Sequence, residues 1–228
     1  MTRYFGFRLA QLGGQWLSED GTEVVFNSPE GVAALQWWVD FYQKDLVVPG
    51  SMAEDQNIMT EFLATGQTSC IIDGWWIPES VRGINPGYEV NFTAGPPWTD
   101  KTGGYSVAST GLSLVATGQH KEEAWEFMKY MYSDEVSTQF ARTVAYVWAT
   151  KAGLEWLSDT QDPFLKVVPT LLNQDPEHNV LFPVLPEGMK LLDAFKLAFQ
   201  EALTKKKDPK TALDEAAEVW QEVLDASR

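Results

Sequence analysis

The sequence predicts a helix-rich α/β protein, and three observations carry that prediction. Apolar residues recur at helical spacing in several stretches bounded by good capping residues. Two short apolar runs, 68–73 and 111–116, read as buried strands. The chain has 228 residues, 44% hydrophobic and 21% charged, a globular composition for one or two domains.

The elements follow in order. Residues 4–27 hold a short apolar segment, a Gly13-Gly14 turn, a Glu19-Asp20-Gly21 turn and the alternating run Glu23-Val24-Val25-Phe26. They predict loops and short strands on a surface. Asn27-Ser28-Pro29-Glu30 starts a helix that runs to about Lys44: Ser28 caps, Pro29 fits the first turn and Glu30 complements the dipole. Val32, Leu35, Val39 and Tyr42 form its apolar face, with Trp38 beside that face and Trp37 pointing elsewhere. A second helix covers about 55–65, with Ile58, Phe62 and Leu63 inward and Gly66 at its C-terminal stop.

The run 68–73 ends at Gly74-Trp75-Trp76, where the glycine is read as allowing a sharp turn, and a short helix follows over 77–82. Residues 87–104 are rich in Gly and Pro and read as strand edge and loop. After 111–116 comes an amphipathic helix over 120–132, with Ala124, Phe127, Met128 and Met131 on one face. Ser133-Asp134-Glu135 caps a helix carrying Val136, Phe140 and Val144. Residues 161–188 hold five of the twelve prolines and read as extended, with a short helix near 164–172. Helices over 187–204 and 209–226 close the chain, the first ending in Lys205-Lys206-Lys207 and the second opening on Asp208-Pro209.

Charge and composition exclude several functions. The formal net charge is −15, which repels phosphate backbones and anionic lipid, so no nucleic-acid or membrane-surface partner is expected. No stretch is apolar enough to span a membrane. Cys70 is the only cysteine, so neither an internal disulfide nor a cysteine metal site is available. The two histidines, His120 and His178, sit at a helix start and in a Pro-rich stretch, both read as solvated. None of the motifs H-E-x-x-H, G-x-S-x-G, Walker loop or G-x-G-x-x-G occurs, and no catalytic residue, metal or cofactor is expected.

The excess is aromatic: ten Trp, seven Tyr and twelve Phe. Most belong in a core, but flat amphipathic rings are also what a site uses to stack on sugars. The pairs Trp37-Trp38 and Trp75-Trp76 are the ones expected outside the core. Asp73, ending an apolar run beside two tryptophans, has two readings. It caps the turn, or it hydrogen-bonds sugar hydroxyls or pairs with a cation. Other carboxylates, such as Glu122-Glu123 and Asp214-Glu215, read as solvated helix faces.

Taken in order, Tyr4-Phe5-Gly6-Phe7, Gly13-Gly14, Asp20-Gly21, Asn27-Ser28-Pro29-Glu30, Ala33-Ala34-Leu35, Phe62, Gly66-Gln67-Thr68 and Asp73-Gly74-Trp75-Trp76 form one pattern. Gly103-Gly104, the segment 109–116, Lys121-Glu122-Glu123-Ala124-Trp125-Glu126-Phe127 and Ala212-Leu213-Asp214-Glu215-Ala216 extend it over nearly the whole chain. The pattern resembles the extracellular solute-binding proteins of ABC sugar importers, the family that includes maltose-binding protein.

That resemblance implies a type II periplasmic-binding-protein fold and a carbohydrate held in an interlobe cleft for delivery to a membrane permease. Members are longer, with a signal peptide and an N-terminal lobe ahead of the Gly-Gly segment. The chain is therefore expected to be the helix-rich C-terminal lobe with a hinge-crossing segment, the N-terminal lobe largely missing. Residues 1–108 and 148–228 would build the lobe, and 109–147 would cross the hinge and pack in the other. Alone, the helices over 120–145 would expose Phe127, Met131 and Phe140 and favour self-association. The implied location is periplasmic or extracellular.

By the same resemblance, Tyr4 and Trp76 stack on sugar, Trp75 is a second platform or a core ring, and Gly74 belongs to the binding turn. Gly103 and Gly104 bring backbone near the ligand. Tyr146 and Trp148 stand where many members carry a hinge proline motif, absent here. Leu191-Leu192 replace a stacking tryptophan of maltose-binding relatives, which leaves the sugar open. Two rival readings remain at this stage: a binder of polyamines or other cationic solutes, and a carboxylate-dependent glycosidase.

Overall fold

The computed structural model describes residues 2–49, 56–74, 76–91, 111–144, 150–161 and 182–227. Among them the helices are α1 (Thr2–Gln11), α2 (Pro29–Gln43), α3 (Gln56–Ala64), α4 (Ile77–Ile84), α5 (Lys121–Met131), α6 (Asp134–Val144), α7 (Lys151–Asp159), α8 (Gly188–Leu203) and α9 (Pro209–Ala226).

The main core lies between α1, α2, α8 and α9. Its centre is a set of aromatic rings that pack edge to face, the arrangement the ring quadrupole favours. Phe5, Phe26 and Phe195 surround Trp16, which stacks on Trp220 with centroids 5.5 Å apart and planes 8° from parallel. Trp220 is completely buried, so its indole N–H needs a partner, and it donates to the Leu191 carbonyl at 3.0 Å. Leu191 is itself completely buried, and Leu192 is half-buried beside it.

This corrects the expectation for residues 4–27. They form a helix and a tight loop that supply Phe5, Leu9, Trp16 and Phe26 to the core, not a surface. Phe5, Leu9 and Leu12 recur at helical spacing, and Gly6 obscures it; a Cβ on Gly6 would stand 3.2 Å from the Trp16 ring. Close packing of a tryptophan against the helix backbone overrides local propensity there. The loop after α1 is a short antiparallel turn closed by the Leu17–Val24 bridge, with Gly21 at φ +70°. Gln221 of α9 clamps it, accepting from the Val24 N–H at 2.8 Å and donating to the Thr22 carbonyl at 3.1 Å.

The capped starts are as the sequence predicts. Ser28 Oγ accepts from the Gly31 N–H and Asp208 Oδ1 from the Thr211 N–H. Helix α7 was not expected; Thr150 caps it by accepting from the Gly153 N–H at 3.0 Å, and donates to Ser137 Oγ of α6 at 3.1 Å. The two expected strands are corrected as well. Residues 68–73 and 111–116 carry no ladder among the described residues, and Ile72, Leu112, Leu114 and Val115 are exposed. A strand exists only with a partner in register, which an apolar run by itself does not supply. The expected short helix near 164–172 lies outside the described residues.

Candidate functional site

Helices α3 and α4 form a second, smaller packed unit around Leu63, Ala64, Ile77 and Val81. Gly66, at φ +72°, ends α3: its N–H reaches the Leu63 carbonyl at 3.1 Å, and the Gln67 N–H reaches that of Phe62 at 2.8 Å. This paired closure satisfies carbonyls that the helix end leaves open. The chain then runs to Gly74, whose carbonyl accepts from the Ile77 N–H at 3.2 Å to start α4. Asn85, capping the far end of α4, donates its side-chain amide to the Ala64 carbonyl at 2.9 Å, which fastens the end of α4 to the end of α3.

Asp73, Gly74 and Trp76 come together in this turn. Asp73 is half-buried, and its Oδ1 accepts from the Gly74 N–H at 2.8 Å, the turn-capping contact that was one of its two readings. Gly74 has a φ outside the left-handed region, so the sharp turn expected of it is not what demands glycine. Trp76 packs one part of its indole on the small core and leaves the rest in water. A partly exposed ring in the same turn as a carboxylate is a platform for the C–H face of a polyhydroxylated or cationic ligand. Trp75, Gly103, Gly104, Tyr146 and Trp148 lie outside the described residues.

Tyr4 belongs to a different group. It projects from α1 with its ring 6.0 Å from that of Trp38 on α2. Trp38 meets Trp37 edge to face at 4.7 Å, and Trp37 stacks on Phe41 at 4.6 Å. Arg8, one turn along α1 from Tyr4, lies over Trp37 at 5.4 Å, and burial pushes its guanidinium below the ordinary value. All four rings are half-buried, so Trp37 and Trp38 stand at the edge of the core and not within it. The sequence reading missed Arg8. Its signal was the Tyr4/Arg8 spacing of four, visible only once α1 is a helix.

Helix α5 buries no residue. Trp125, Phe127 and Tyr130 are all about half exposed, and Val115 just before it is 69% exposed. Phe127 is thus exposed as expected, whereas Met131 and Phe140 are half-buried. Among the described residues no group of three or more His, Cys, Asp or Glu is placed to hold a metal, and no helix is long and apolar enough to cross a membrane.

The diacetylchitobiose-binding protein DasA of Streptomyces coelicolor is 27% identical over 135 residues, 57% of this chain and 32% of that protein. The maltose/maltodextrin-binding domain MalE of Bdellovibrio bacteriovorus, solved with maltotriose, superposes with a TM-score of 0.76 at 20% identity. It is matched over 98% of this chain and 57% of its own length. An ABC transporter solute-binding protein of Thermotoga lettingae, solved with α-D-tagatose, gives 0.71 at 20% identity, covering 97% of this chain and 56% of its own. The chain therefore spans about a third of that curated relative and somewhat more than half of these structures. They show a periplasmic-binding-protein fold, in part. The pattern of the bacterial extracellular solute-binding proteins matches residues 4–138, well over half of the sequence, and the chain belongs to that family.

Proposed function

We propose that this chain forms the greater part of one lobe of a sugar-binding protein that serves an ABC importer. The observation that carries the reading is Trp76: a ring seated on the α3–α4 core but only partly buried, with the Asp73 carboxylate three residues before it. The relatives are named for, or were solved with, diacetylchitobiose, maltotriose and tagatose, all polyhydroxylated rings with C–H faces. The act is capture and closure without bond chemistry, ligand biasing a hinge equilibrium and a membrane permease receiving the sugar. It takes place outside the cytoplasmic membrane. Asp73, Gly74, Trp75 and Trp76 form the core of the site, with Gly103, Gly104, Tyr146 and Trp148 completing it, and Tyr4 of α1, beside Trp38, is a separate aromatic contact offered to the sugar.

In this reading residues 109–147 cross the hinge and 1–108 and 148–228 build the lobe. The exposed apolar face of 111–132 supports it, because such a face is built to be covered. In this reading its occupant is the second lobe of the whole fold, and the matched maltodextrin-binding domain, of which this chain covers 57%, is long enough to hold one.

The test is a tryptophan-fluorescence titration of wild type and Trp76→Ala with diacetylchitobiose, maltotriose, tagatose and spermidine. A saturable shift with one sugar, lost in Trp76→Ala, supports the proposal. A response to spermidine alone replaces sugar by a cationic solute, and no response to any ligand removes the reading.

A further inference from the structure

We infer that Gly74 is a positioning residue for Trp76, holding open the space in which the indole lies. A Cβ built on Gly74 would stand 2.5 Å from Trp76 Cε3 and nearer still to Cζ3 and Cη2, with no other atoms so close. Real Cβ atoms do not approach that near, so any side chain at 74 and the present ring position exclude each other. The backbone at 74 is outside the left-handed region, which removes the usual conformational reason for a glycine. What remains is clearance. The edge of the six-membered ring lies back over the bare Cα of Gly74.

Three contacts fix the frame around that clearance. Asp73 Oδ1 holds the Gly74 N–H, the Gly74 carbonyl holds the Ile77 N–H, and Trp76 packs on the cluster of Leu63, Ala64, Ile77 and Val81. Because the backbone is held on both sides of the peptide, a methyl group at 74 moves the ring and not the chain. The ring is thereby set in one orientation before any ligand arrives, and a pre-set platform loses less freedom on binding. Gly74 then acts on ligand through Trp76. This inference rests on the sugar reading of Trp76 only for its binding consequence; the ring displacement stands without it.

The experiment uses the full chain labelled with 5-fluorotryptophan, Trp76→Phe identifying the Trp76 fluorine line. Gly74→Ala is expected to shift that line more than those of the other nine tryptophans. It is expected to weaken diacetylchitobiose or maltotriose about tenfold, as loss of one stacked ring does. In a Trp76→Ala background Gly74→Ala is expected to leave the thermal midpoint unchanged. A Trp76 line that stays in place in Gly74→Ala overturns the inference. So does a Gly74→Ala effect on the midpoint that is as large without the indole as with it, including failure of both proteins to fold. If wild type binds no sugar, the function proposal falls while the fluorine shift and the midpoint cycle still decide this one.

Discussion

Two tryptophan-bearing loops in this molecule have opposite fates. The loop 13–25 delivers Trp16 into a ring of aromatic neighbours, against which Trp220 stacks with no exposure at all. The segment before α4 delivers Trp76 to the rim of a four-residue core, where the ring is only partly buried. The difference lies in what each loop faces. The first closes against α9 through Gln221 and finds Phe5, Phe26 and Phe195 waiting. The second runs between α3 and α4, where the small cluster of Leu63, Ala64, Ile77 and Val81 buries the indole only in part. Burial turns a tryptophan into stability, and partial burial leaves it as a recognition surface.

The sharpest way to break that contrast is to truncate one ring from each region. Trp220→Ala removes the largest fully buried side chain among the described residues and with it the indole N–H bond to the Leu191 carbonyl. A loss of about 3–5 kcal/mol is expected in urea unfolding, the usual range for a buried aromatic. Trp76→Ala is expected to cost about 1 kcal/mol, since less surface leaves the core. Its sugar response should disappear all the same. If Trp76→Ala destabilises as much as Trp220→Ala, the two loops do the same job and the contrast is wrong.

A smaller effect tests how the first loop is held. Gln221→Ala removes the acceptor of the Val24 N–H and the donor to the Thr22 carbonyl, both partly buried. About 1–2 kcal/mol should be lost, with hydrogen exchange at Val24 rising more than at Ile77. Equal acceleration at both amides would mean that α9 does not clamp this loop in particular.

Legibility follows the range of the interactions. The starts of α2 and α9 could be read because Ser28 and Asp208 bond N–H groups three residues on, a contact within the motif itself. The end of α3 at Gly66 is equally local. Helix α1 could not be read, since Gly6 and its polar residues spoil the pattern and the helix is justified by α2, Trp16 and α8 packing on it. The runs at 68–73 and 111–116 look like strands, but a ladder depends on residues far away in sequence. At the site, the Gly-Trp signal was visible in the chain, while the reason for the glycine was not. Whether it serves a left-handed turn or clears a ring is decided by a φ angle and a neighbour's position. Arg8 over Trp37 joins two helices, and its spacing of four from Tyr4 carries meaning only once α1 is known to be a helix.

The smallest expected effect is electrostatic and sharpens the picture of a closed first loop. Asp20 Oδ1 accepts from Ser18 Oγ at 2.7 Å, from Thr22 Oγ1 at 2.7 Å and from the Thr22 N–H at 3.0 Å. These bonds, the Ser18 hydroxyl first, favour the carboxylate and bring its pKa from 3.8 down to about 2. A folded-state value below the unfolded one means the unfolded chain binds the proton first. The stabilisation is therefore complete above about pH 4 and is lost as pH falls towards 2. Asp20→Asn should flatten the acid limb of the stability profile over that interval and leave the neutral limb's shape unchanged. The side-chain carboxyl carbon of Asp20, followed by NMR in the folded protein, should titrate near 2. A midpoint near 3.8 would show that the loop's hydroxyls do not hold the carboxylate, and that the backbone bridge and Gln221 close the turn that carries Trp16 inward.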